Sequence, residues 1–66
     1  MQKEKVNACY GVIDALQELK QTCRDIANND KIDNDVREQA TKEFARLEQS
    51  IKEEKETIRK IKVENL

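Results

Sequence analysis

Two cysteines, Cys9 and Cys23, and three clustered aspartates, Asp30, Asp33 and Asp35, are the side chains best equipped for chemistry in this chain. Thiols can pair as a disulfide or ligate a metal, and clustered carboxylates can hold calcium. Spacing argues against each use. In a continuous helix Cys9 and Cys23 stand ~21 Å apart at ~1.5 Å of rise per residue, whereas a disulfide needs Cα atoms within about 7 Å. Structural zinc wants converging ligands, and the chain offers two remote thiols and no histidine. Both cysteines therefore read as reduced, small hydrophobic core residues. A calcium-binding helix–loop–helix needs alternating oxygen ligands, then a glycine and a closing Glu. Counting from Asp33 puts Arg37 in a ligand position and Glu38 where glycine belongs; counting from Asp30 puts Ile32 in a ligand position. The aspartates read as caps and turn formers.

Acid–base catalysis would need two carboxylates fixed across a cleft, one of them raised by burial. A chain this short has no cleft of its own, and Glu54 is the one carboxylate at an apolar-seam position. It reads as a register-setting polar residue or as one exposed past the end of its partner helix. A buried acid awaiting an arginine from a partner is the rival reading. The expectation is a protein that is not an enzyme and holds no metal or cofactor.

The elements that position these residues are two heptad-phased apolar stripes separated by the polar stretch from Asn28 to Asp35. In the first, Cys9, Val12, Leu16, Leu19, Cys23 and Ile26 alternate three and four residues apart, the signature of an amphipathic helix over about residues 4–28. Val6, Ile13 and Ala27 form a flanking row, which widens the apolar arc to roughly 160°. Lys20 falls inside that arc, where its stem can cover apolar surface while the ammonium reaches water. Ala8, Gly11 and Ala15 lie beside the stripe with Tyr10 at its border. Gly11, which costs about 1 kcal/mol relative to Ala inside a helix, marks either a close backbone approach or a tolerated surface glycine. This arc is wider than one neighbouring helix would cover.

The second stripe is narrower. Ala40, Phe44, Leu47, Ile51, Ile58 and Ile61, with Glu54 between Ile51 and Ile58, keep two positions per heptad over about residues 34–64, a coiled-coil seam rather than a globular face. Exposed Glu-to-Lys pairs (Glu38–Lys42, Glu48–Lys52 and Glu56–Lys60) support this helix by ~0.2–0.5 kcal/mol each. In the loop, about residues 29–33, Asn28 or Asn29 suits a left-handed helix end. Asp33, Asn34 or Asp35 can cap the second helix, and Asp35 to Glu38 fits a capping box. Ile32 is expected to fold back onto Val36. With lengths of ~37 and ~46 Å, the second helix should overhang the first, leaving Ile61 and Leu66 uncovered.

Composition narrows the partners. Charged residues make up 41% of the chain and net charge is −1, so nothing attracts nucleic acid or anionic membrane globally. No apolar run is long enough to span a bilayer, and no apolar segment follows Met-Gln-Lys-Glu-Lys, so the expectation is a cytoplasmic product without a secretory signal. The outward face of the first helix carries Asp14, Glu18 and Asp25, against phosphate contact. The basic cluster Arg59, Lys60 and Lys62 has no aromatic beside it for base stacking.

These features predict an all-α antiparallel helical hairpin, one domain over residues 1–66, that dimerises into a four-helix bundle or coiled-coil assembly. The expected interface is Cys9, Val12, Ile13, Leu16, Leu19, Cys23 and Ile26 of the first helix with Phe44, Leu47, Ile51, Ile58 and Ile61 of the second. Ala8, Tyr10, Gly11 and Ala15 are candidate contacts with another protein. The function expected is that of a small regulator, inhibitor or adaptor of the style found in phages and mobile elements, acting as a homodimer through protein contacts. The alternative is an RNA-binding hairpin dimer, similar in architecture alone to the Rop family of plasmid RNA regulators.

Overall fold

Without a proline, and with one glycine, the chain has no residue that must break a helix until the Asn/Asp-rich stretch after Ala27. A computed structural model, which describes residues 2–64, shows two helices accordingly. Helix α1 spans Gln2–Ala27 and helix α2 spans Asn34–Glu64. They pack against each other as an antiparallel hairpin measuring 51 × 15 × 11 Å. Helix α1 thus begins two residues before, and ends one before, the limits suggested by periodicity.

The connection closes α1 differently from expectation. Among the described residues none has a positive φ, so neither Asn28 nor Asn29 adopts the left-handed conformation. Instead the Asn28 amide donates to the Arg24 carbonyl at 3.0 Å and the Asn29 amide to Ile26 at 3.2 Å, which tightens the last turn. The Ala27 carbonyl accepts from Nε of Arg37 at 3.2 Å, so a side chain of α2 caps α1 from across the loop. Asn29 then turns the chain: its side-chain oxygen accepts from the Lys31 amide at 3.0 Å, and its carbonyl from the Ile32 amide at 3.1 Å. Helix α2 opens with the Arg37 amide donating to the Asp33 carbonyl at 3.1 Å, which makes Asp33 the N-cap. Asp35 therefore lies inside the first turn, where its charge suits the helix dipole, and no capping box starts there. Ile32 is half-buried and Val36 is 49% exposed.

The face that α2 presents follows the narrow stripe: Ala40, Ile51 and Ile58 are buried, and Phe44, Leu47, Glu54 and Ile61 are half-buried. The face that α1 presents is displaced by one row from the centre of its stripe. Ile13 is 5% exposed and clusters with Ile51 and Ile58, and Val6, Cys9 and Leu16 pack against them. Lys20, Cys23 and Ala27 continue the same seam as half-buried residues. The flanking row Val6, Ile13, Lys20 and Ala27 is thus central to the hairpin. Val12 and Leu19 stand outside it, 45% and 55% exposed. The displacement has a physical reason: Lys20 meets Phe44, 5.4 Å from ammonium to ring centroid, and Ala27 meets Arg37, contacts that exist only on this side.

Helix α2 does not overhang as expected. Lys62 reaches Tyr10, its ammonium 5.9 Å from the ring centroid and 3.5 Å from the hydroxyl, so the first turns of α1 run beside the end of α2. Ile61 is half-buried there, and Leu66 lies outside the described residues. Among the described residues of α2 the three Glu-to-Lys pairs stay open, while Glu43 and Arg46 close an ion pair at 2.7 Å. Exposed pairs of this kind are worth ~0–1 kcal/mol, too little to hold long side chains together.

Arg37→Ala removes the cap on Ala27 and should destabilise the hairpin by about 1 kcal/mol. Chemical denaturation followed by circular dichroism would show a lowered midpoint, and an unchanged midpoint would deny Arg37 this role.

Candidate interaction face

Heptad geometry gives the hairpin two unlike broad sides. On one, Tyr10 and Arg24 of α1 border Thr41, Glu48, Lys55 and Lys62 of α2. This side is polar and carries an open groove in which Lys20, Lys52, Lys55 and Arg59 alternate with Glu48 and Glu56 above Ile51. On the other side Val12, Leu19 and Ile26 of α1 border Val36, Glu43, Ser50 and Thr57 of α2. Ala8, Ala15 and Thr22 form the next row outward on α1, and all three are exposed. Apolar and small side chains dominate this second side, and Leu19, Val12 and Val36 are among the most exposed large hydrophobic residues of the molecule.

The residues singled out from sequence therefore fall into two sets. Cys9, Ile13, Leu16, Cys23, Phe44, Leu47, Ile51, Ile58 and Ile61 meet in the seam between α1 and α2. Val12, Leu19 and Ile26 instead edge the open apolar side, with Ala8 and Ala15 beside them. Tyr10 belongs to the opposite side, held by Lys62. Beyond its own turn of helix, no described atom lies within 4 Å of where a methyl group on Gly11 would sit, so no other described part of the hairpin approaches its backbone. Val36 is the member of the apolar side that sequence reading missed. Its signal was its place one residue before Arg37, on the row that borders the exposed row of α1. The pairing of Lys62 with Tyr10 was also missed, since it joins residues whose facing depends on the pairing of the helices.

The chemistry-bearing groups are placed structurally. Both cysteines are free and half-buried. The Glu54 carboxylate neighbours the Cys9 thiol. Partial burial first, then the hydrogen-bonding influence and the charge of Glu54, push the Cys9 thiol above its ordinary pKa. A thiol held protonated is a poor nucleophile and a poor metal ligand. Among the described residues no group of three or more His, Cys, Asp or Glu side chains converges as a metal site, and no helix is long and apolar enough to cross a membrane. No protein-family model, curated protein or solved structure matches this chain.

Two variants probe this arrangement. Glu54→Gln withdraws the charge beside Cys9 and should speed alkylation of that thiol above about pH 8, with wild-type rates throughout denying the contact. The sign carries over to stability. A thiol whose folded pKa is raised stabilises the fold below its unfolded pKa and loses that contribution as pH climbs through the folded one. Gly11→Ala adds a methyl group in open space and should stabilise α1 by about 0.5–1 kcal/mol. A lower melting temperature would instead mean that a second molecule closes on Gly11.

Proposed function

We propose that this protein is a non-enzymatic interaction module, a small regulator, inhibitor or adaptor that works through protein contacts made by the apolar side of its hairpin, with a second copy of itself as a first partner. One observation carries the reading: Val12 and Leu19 are in register on one side of α1 and about half exposed, while the opposite side is finished with charged side chains. Fully burying side chains such as these is worth roughly 1.5–3 kcal/mol each. The hairpin alone gains little: among the described residues four hydrophobic ones are buried, and no side chain falls below 2% exposure.

The groove on the polar side gives RNA less to hold. Its four basic residues are interleaved with two carboxylates and no aromatic lines it, whereas single-stranded RNA is gripped by basic tracks with stacking platforms.

Leu19→Glu separates association from hairpin packing, because Leu19 lies outside the α1–α2 seam. The wild-type chain should scatter light as a dimer of the 7.7 kDa chain and the variant as a monomer. Equal masses for the two proteins would overturn the reading.

A further inference from the structure

The open side of α1 has a size pattern that fits itself. Along it run Ala8, Val12, Ala15, Leu19, Thr22 and Ile26, spaced four and three residues apart. One row of this seam is small (Ala8, Ala15, Thr22) and the other large (Val12, Leu19, Ile26). We infer that two copies of α1 pack antiparallel along this seam, about a two-fold axis level with Gln17, so that Ala8 opposes Ile26, Val12 opposes Thr22 and Ala15 opposes Leu19 of the twin. This inference rests on the self-association reading above and specifies its geometry.

Size complementarity selects the arrangement. In the antiparallel pairing every opposed pair joins a small residue to a larger one, and the summed side-chain volumes are nearly equal along the seam. Packing at native density requires such evenness. A parallel pairing sets Leu19 on Leu19 and Ala15 on Ala15, alternately overfilling and emptying the interface. A slide by one heptad brings Lys5 opposite Thr22 in one direction and Val12 opposite Asn29, beyond the end of α1, in the other.

Area is sufficient as well. The seam itself runs ~27 Å along α1; with α2 flanking it, the whole broad side of 51 × 15 Å approaches the roughly 800 Å² per partner of a standard stable interface. The seam is also continuous with the existing core, since Cys9, Leu16 and Cys23 border both α2 and the open rows. An isologous contact of this kind closes at two chains.

Disulfide trapping tests the pairing. In a Cys9→Ala, Cys23→Ala background, Ala8→Cys and Ile26→Cys are introduced singly and together, and each protein is equilibrated in a glutathione redox buffer. Residues 8 and 26 lie ~27 Å apart along one helix, too far for a bond within a chain. The double variant should form disulfide-linked dimers, and neither single variant should. Cross-linking of either single variant, or of none of the three, overturns the antiparallel pairing. Light scattering of the reduced background protein and of wild type keeps the two levels separate. Monomers in both would remove self-association itself, whereas dimers with the wrong cross-links would remove only this geometry.

Discussion

Everything in this molecule depends on a mismatch of width between its two helices. Helix α2 offers an apolar seam two residues wide per heptad, and α1 offers nearly twice that. A two-helix layer can bury only the surface the helices share, so each seam residue keeps part of its side open. That is why Ile13, Ile51 and Ile58 are buried while none is sealed completely. Stable folds place a second layer over such a surface, and the two described helices do not supply one.

The two edges of the seam meet this shortage in opposite ways. On the polar side long cations close it: Lys20 lies over Phe44 and Lys62 over Tyr10. Each contact is worth about 0.5–1 kcal/mol at an exposed site, and each lysine stem shields apolar surface while its ammonium stays hydrated. On the other side no such cation stands between Leu19 and solvent. Burying Leu19 is worth more than either cation–π contact, so the balance of forces on this molecule favours covering the apolar side.

The hairpin itself was legible in the sequence, because stripe period, the Asn/Asp-rich break and the absence of proline all agree. The narrow seam of α2 was legible residue by residue, since two positions per heptad allow one way of facing a partner. The seam of α1 was not. Its arc holds two adjacent rows, Val6–Ile13–Lys20–Ala27 and Val12–Leu19–Ile26, and hydrophobicity alone favours the second. What selects the first is polar: the Lys20–Phe44 contact and the Arg37 cap on Ala27. Neither follows from periodicity. The same cap explains the loop, because a carbonyl satisfied by a guanidinium needs no left-handed residue to satisfy it.

The rows of α1 also tie folding to association. Cys9, Leu16 and Cys23 lie between the seam to α2 and the open apolar rows, so covering those rows would dry the hairpin's own core and strengthen every contact within it. On the proposed pairing, stability becomes a function of chain concentration, as for any species whose folded form alone binds its partner. A foreign protein using the same face must then compete with the twin, and its apparent affinity falls by the factor that the dimer holds the face closed. An exposed apolar side is also a hazard for unspecific contact. Self-pairing of the proposed kind would keep it covered until a partner of better fit arrives.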